Sequence, residues 1–370
     1  MEVEIGRSKR ARRVYSFDDI AVVPNRRTRD PQDVSVAWTI DAYQFAVPVL
    51  AAPMDSVVSP ATAIAMGKLG GLGVLDLEGL WTRYDDPEPL LAEIRGLPAA
   101  EATKRMQQIY AEPIKAELVT SRIAEIRAAG VTVAGALSPQ RTQELYKTVV
   151  AAGVDLFVIR GTTVSAEHVS KNQEPLNLKK FIYELDVPVI VGGAAGYTPA
   201  LHLMRTGAAG VLVGFGGGAA STTRLSLGIH APMATALADV AGARRDYLDE
   251  SGGRYVHVIA DGGLGTSGDI VKAIAMGADA VMLGHALARA TDAPGGGMHW
   301  GAEAHHRDFP RGNRVEVGQV ASLEQVLFGP STTADGTVNL VGALKRAMAT
   351  TGYSDLKEFQ RVDVVVSPYR

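Results

Sequence analysis

The chain has 370 residues, 46% apolar and 21% charged, with 40 glycines, a formal net charge of −3 and no cysteine. This composition suits a glycine-rich α/β protein with a large buried core and excludes a disordered or collagen-like chain. The charge gives no global case for nucleic acid, and the missing cysteine excludes disulfides, thiolate metal sites and thiol catalysis together.

In chain order, the first 16 residues form a basic arm with five Lys or Arg between Arg7 and Arg13, expected to be a solvated tail or a subunit-contact arm. Eight short apolar runs follow. They are Val47 to Met54, Leu72 to Leu77, Val131 to Leu137, Asp155 to Gly161, Val187 to Gly193, Gly210 to Gly216, Val256 to Gly263, and Asp279 to His285. Segments of helical period separate them, Ser59 to Lys68 and Gln140 to Ala152 among them. The runs are nearly continuous in Val, Ile and Leu, as parallel strands covered on both faces are. Eight such units in one domain spanning 1–370 predict a (β/α)8 TIM barrel; the first run ends in "APMDS", which is not the dinucleotide fingerprint of an open doubly wound sheet. The long loops after the sixth run (216–232) and the eighth (291–319) are expected to be functional, the second as a solvated lid.

In a barrel the chemistry sits at the C-terminal ends of the strands. That selects Met54, Asp55, Arg160, the loop after Gly214, Asp261 and Gly284. "IADGGLGTSGDIVKAIAMGADAVMLGH" carries the strongest signal. Gly262, Gly263 and Gly284 follow the last two strands beside helix starts, one of them near Asp269, where backbone N–H groups can hold a phosphate. Asp261 is placed to accept hydrogen bonds from a ribose diol. Flavin-mononucleotide barrels use the same layout. His299, His305 and His306 lie in the lid at spacings that match no specific metal site.

With "FDDIAVVP", "APMDSVV", "GGLGVL", "VGFGGGAASTTR" and the segment just quoted in order along the chain, the sequence resembles the IMP dehydrogenase/GMP reductase family over most of its length. Within that family it is most similar to the bacterial IMP dehydrogenase-related branch that lacks the regulatory CBS domains, with a short helical insertion at 79–128 in their place. The resemblance implies a TIM barrel, a purine nucleoside monophosphate as substrate, NAD or NADP as cofactor, and a homotetramer. The charge, and the lack of a membrane-spanning run or a signal-peptide core, lead to the expectation of a cytoplasmic protein with no nucleic-acid or membrane partner. It places Met54, Ser221, Asp261, Gly262, Gly263, Gly284 and His285 on the nucleotide and Asp55, Arg160, Gly214 and Gly216 on the cofactor. Gly216, Gly218 and Ser221 match the positions that bind a monovalent cation, and Ser221 and Thr222 fall in the catalytic loop.

The chemistry half of the site departs from the family. The loop motif G-x-G-P-G-S-x-C-T-T-R has Ser221 at its cysteine, Ala219 at its serine and Gly217 at its proline. A serine hydroxyl is far less acidic than a thiol and needs a neighbouring base, which this loop does not contain. Arg160 stands where the family has an aspartate, Ala194 replaces an asparagine, Leu212 a lysine and His285 a serine, and the lid has no Arg-Tyr pair to activate water. Glu303 or His305 is the available proton-transfer group on the lid. Three readings stay open: a nicotinamide-dependent oxidoreductase acting on a purine nucleotide, a non-catalytic purine-nucleotide-binding protein, and a flavin-mononucleotide barrel enzyme.

Overall fold

The computed structural model describes residues 2–171, 175–215 and 217–367. Eight parallel strands close into a barrel: β1 (Val49–Ala51), β2 (Leu72–Asp76), β3 (Ala134–Leu137), β4 (Leu156–Arg160), β5 (Val189–Ala194), β6 (Gly210–Val213), β7 (His257–Asp261) and β8 (Ala280–Leu283). Each pairs with its sequence neighbour, and β8 returns to β1 with Leu283 beside Ala51. Every residue of β1, β3, β5, β6 and β8 is buried, which explains their continuous apolar sequence. The first strand is shorter than expected because Pro48 and Pro53, which have no N–H to give the ladder, bracket it.

The outer helices are α1 (Pro60–Lys68), α2 (Ala116–Ala128), α3 (Pro139–Ala151), α4 (Leu178–Tyr183), α5 (Tyr197–Arg205), α6 (Met233–Glu250), α7 (Ser267–Ala275) and α8 (Leu340–Thr351). Ser59 opens α1 by accepting the Thr62 N–H, with Pro60 as first helical residue. A hairpin of Trp38–Ile40 and Tyr43–Phe45 covers the opposite end of the barrel from the strand C-termini: Ile40 is fully buried near Gly210, and the Trp38 edge meets His257.

The structure adds detail to three expectations. The stretch 79–128 divides, because α2 packs on α1 and α3 as a regular barrel helix. What stands outside the barrel is Leu80–Thr82, Glu88–Gly96 and Ala99–Ile109. The basic arm is an antiparallel hairpin of Glu2–Gly6 and Lys9–Arg12, tied to α6 by a two-pronged Arg12–Asp239 ion pair (2.7 and 2.9 Å). The stretch 291–319 is docked at its two ends, where Met298–His299 pairs with Val315–Glu316 and Trp300 is 1% exposed, while its middle, 306–310, is exposed as a solvated lid would be. Trp300 and Ala304 share a second small core with Leu80, Leu91, Ile94, Met106 and Tyr110 of the insertion. No helix among the described residues is long and apolar enough to cross a membrane.

Candidate functional site

The strand C-termini surround a cavity of about 570 Å³. Its walls include Met54, Asp55, Arg160, Gly214, Ser221, Asp261, Gly262, Gly263, Gly284 and His285, so the residues selected from sequence converge. Thr222 is not among the lining residues, although Ser221 and Thr223 on either side of it are. Gly216, assigned to both cofactor and cation, lies outside the described residues.

On the β7–β8 side the wall is mostly backbone. Gly262 and Gly263 have φ of 103° and 72°, a left-handed conformation that favours glycine. Gly217 packs against them: a Cβ there would stand 2.9 Å from the Gly263 nitrogen, leaving no room for the family's proline ring. The Met54 side chain lies against two further glycines, its sulfur 3.3 Å from where a Gly284 Cβ would be and its methyl 3.2 Å from that of Gly301. Helix α7 begins at Ser267, two residues before Asp269, because Thr266 caps it by accepting the Asp269 N–H. The Asp269 carboxylate in turn accepts the N–H groups of Gly265 and Thr266 at 3.2 and 3.0 Å. Those two amides are therefore used inside the turn, and the Gly262–Gly263 and Gly284 segments are what the β7–β8 side offers an anion. His285 lines the cavity with its Nδ1 buried and unpartnered among the described residues, 6.3 Å ring to ring from His299. Burial lowers the pKa of both, His299 to about 4, so both rings are neutral at pH 7.

The β1–β2 side is built of buried side chains. Asp55 accepts the Tyr110 hydroxyl at 2.7 Å and the Leu80 N–H at 2.9 Å on one oxygen, while its other oxygen has no partner. The Trp300 indole N–H donates to the same Tyr110 oxygen at 2.9 Å, and the His305 ring stacks on Tyr110 with centroids 3.5 Å apart. Burial raises the Asp55 pKa to about 6 and that of Asp76 well above the usual carboxylate range, and lowers His305 to about 3. Ser56 Oγ joins the Trp300 backbone to His299 Nδ1, 2.9 Å away. Among the described residues no group of three His, Cys, Asp or Glu side chains is arranged to hold a metal.

Ser221 sits between the two sides. Its hydroxyl meets Thr223 Oγ1 at 3.3 Å and the Thr223 N–H at 3.4 Å, and neither is a base. The Gly218 carbonyl, one of those assigned to a cation, accepts the Ser221 N–H at 3.0 Å. Arg311, which the sequence analysis passed over for want of an Arg-Tyr pair, crosses from the segment after β8. It donates to Thr222 Oγ1 (2.9 Å), Thr223 Oγ1 (3.2 Å) and Thr162 Oγ1 (3.2 Å), and lies 3.6 Å from Glu303. Tyr110, Trp300 and Asp76 were missed too. The insertion and the 291–319 loop bring the first two into the wall; Asp76 carried a usable signal, since it is the one carboxylate at the C-terminal end of the second predicted strand.

Arg160 and Asp261 were assigned to cofactor and ribose, yet they bind each other: Arg160 Nε is 3.0 Å from one Asp261 oxygen and Nη2 is 3.5 Å from the other. The model of the IMP dehydrogenase/GMP reductase domain matches residues 14–307. The chain belongs to the IMP dehydrogenase/GMP reductase family. It is 55% identical, over 98% of its length and 99% of the relative's, to an uncharacterized oxidoreductase of Mycolicibacterium smegmatis. To the inosine-5'-monophosphate dehydrogenase of Methanocaldococcus jannaschii it is 25% identical, over 97% and 94%. The crystal structure of an IMP dehydrogenase/GMP reductase-like protein from Corynebacterium glutamicum superposes with a TM-score of 0.93 at 52% identity, covering 99% of this chain and 98% of that one. The family membership and the barrel thus agree with the motifs quoted from the sequence.

Proposed function

We propose that this oxidoreductase-family protein binds a purine nucleoside monophosphate across the barrel mouth, with NAD or NADP beside it. The observation that supports this most is the gathering of Met54, Ser221, Asp261, Gly262, Gly263, Gly284 and His285 around one cavity, with glycine backbone on one side and polar groups on the other. Gly262, Gly263 and Gly284 would hold the phosphate by backbone N–H groups, and Met54 would pack against the base.

For the cofactor, the unpartnered, buried oxygen of Asp55 suits the amide N–H of a nicotinamide, and Asp76 beside it adds acceptor capacity. When bound, the dinucleotide supplies hydride transfer to or from the purine. Arg160 is turned toward Asp261 and takes no part in that cradle. Gly214 packs behind it: a Cβ there would stand 2.3 Å from the Asp261 carbonyl oxygen and 2.5 Å from the Met233 sulfur. A monovalent cation on the carbonyls of Gly216, Gly218 and Ser221, a homotetrameric assembly and a cytoplasmic setting belong to the same proposal.

The partners of Ser221 favour a second reading, a nucleotide-binding protein without turnover. A hydroxyl whose hydrogen-bond partner among the described residues is a threonine is not activated for attack on a purine carbon. Nicotinamide absorbance separates the two, with IMP, GMP and XMP tested on the wild type and on Ser221→Cys at high enzyme concentration. Turnover by the wild type establishes the enzyme. Turnover only in the cysteine variant shows a competent site lacking its nucleophile. Silence from both, with GMP or IMP binding seen by calorimetry, leaves the binding protein. Absence of binding by any of the three nucleotides overturns both readings.

A further inference from the structure

The ion pair across the mouth carries a consequence for sugar recognition. Arg160 ends β4 and Asp261 ends β7, so the pair spans the ends of β5 and β6 instead of joining neighbouring strands. Between them β5 ends in Gly193 and Ala194, and β6 ends in Val213 and is followed by Gly214. Asp261 is the fixed partner: it is buried in the barrel, with its carbonyl packed against Gly214. Arg160 is the more exposed, its side chain 32% accessible against 10% for Asp261. It also has other acceptors within electrostatic range, Glu303 of the segment after β8 and Asp76 of β2.

A carboxylate reads a vicinal diol by taking one hydroxyl on each oxygen, and Arg160 already engages both oxygens. Resting on the reading that a purine nucleoside monophosphate binds here, we propose that Arg160 is a specificity-determining residue that competes with the ligand's ribose diol for Asp261. Sugar binding then exchanges one set of charge-assisted hydrogen bonds for another, with the guanidinium displaced toward Glu303. The diol adds little net affinity, and the site discriminates weakly between ribose and 2′-deoxyribose.

The test is calorimetric, using GMP and 2′-deoxy-GMP on the wild type, Arg160→Leu, Arg160→Gln and Asp261→Asn, with thermal melts to confirm that each variant folds. The wild type is expected to favour GMP by less than about threefold. Either neutral Arg160 variant is expected to favour it by about tenfold or more through tighter GMP binding, the size expected for a restored charge-assisted hydrogen bond. Asp261→Asn should show a ratio near one. A wild-type ratio already at about tenfold, or an unchanged ratio in a folded Arg160 variant that binds GMP, overturns the proposal and leaves the nucleotide reading standing. If GMP does not bind, the same comparison is made with IMP and 2′-deoxy-IMP or with XMP and 2′-deoxy-XMP; no binding of GMP, IMP or XMP overturns that reading, and the proposal with it.

Discussion

The two sides of the mouth are made in different ways. The β7–β8 side is local: one continuous segment, 256–285, supplies Asp261, the two left-handed glycines, Gly284 and the Thr266–Asp269 capping box. The β1–β2 side is assembled from three distant segments: Asp55 after β1, Tyr110 from the insertion, and Trp300 and His305 from the segment after β8. A local wall depends on backbone conformations that a few glycines permit. An assembled wall depends on the small hydrophobic core that docks the insertion against the last segment. The two sides should therefore fail differently when mutated.

Trp300→Ala should have the largest effect. The side chain is 1% exposed and joins Tyr110 to that small core, so its loss should lower stability by about 3–5 kcal/mol. In denaturant melts with hydrogen exchange, amides of 88–110 and 298–316 should lose protection while those of β7 and β8 keep theirs. Loss of protection on both sides alike would break the comparison.

Gly214→Ala attacks the other side. The glycine has φ 121°, and the added methyl would meet the Asp261 carbonyl oxygen and the Met233 sulfur. A loss of about 2–4 kcal/mol is expected from strain and overpacking. GMP affinity should fall while Tyr110 stays unreactive to tyrosine-modifying reagents; a reactive Tyr110 would mean that the two sides are not independent.

Asp55→Asn sharpens the account of the assembled side. Burial raises the folded-state pKa of Asp55 to about 6, above the unfolded value of about 4, so the folded chain binds more protons between those limits. The contribution is fully present below pH 4 and is lost as pH rises through 6. The asparagine can keep the Tyr110 and Leu80 bonds on its one oxygen and has no charge to bury. Relative to wild type, it should gain on the order of 2 kcal/mol between pH 4 and 7, with the gap closing in acid. A difference independent of pH would show that Asp55 has the same pKa folded and unfolded, so that its burial does not raise it.

Arg311→Met should be the mildest. Its bonds to Thr162, Thr222 and Thr223 are partly exposed, so the stability change should stay within about 1 kcal/mol. Protease cleavage in 303–316 should nevertheless speed up, since Arg311 ties that segment to the loop after β6. Unchanged cleavage would assign the docking to the small core alone.

Most of the local side was legible in the sequence. Asp261 with its paired glycines announces itself because left-handed turns favour glycine, and Gly284 because only a residue without a side chain lets the backbone lie this close to Met54. Ser221 and Arg160 were also singled out in the sequence, as the positions where the resemblance implies other residues. The partner of Arg160 was not: no pattern at residue 160 points to residue 261 across two intervening strands. Tyr110 and Trp300 were hidden for a similar reason, since an aromatic residue in a polar helix or a loop looks the same whether it is exposed or packed. Of the lid, the exposed middle at 306–310 was legible, but the docking of its ends by Trp300 and the short strand pair was not, since Gly and His there suggest solvent.

The sequence by itself determined the barrel, the strands that end at the mouth and the missing thiol, because each rests on apolar period, on glycine conformation or on residue identity. Tertiary structure alone decided that Arg160 holds Asp261, that Arg311 reaches the threonine pair and that an insertion walls the site. Those are contacts between residues 55 to 190 positions apart, set by how the chain closes on itself and not by any local preference.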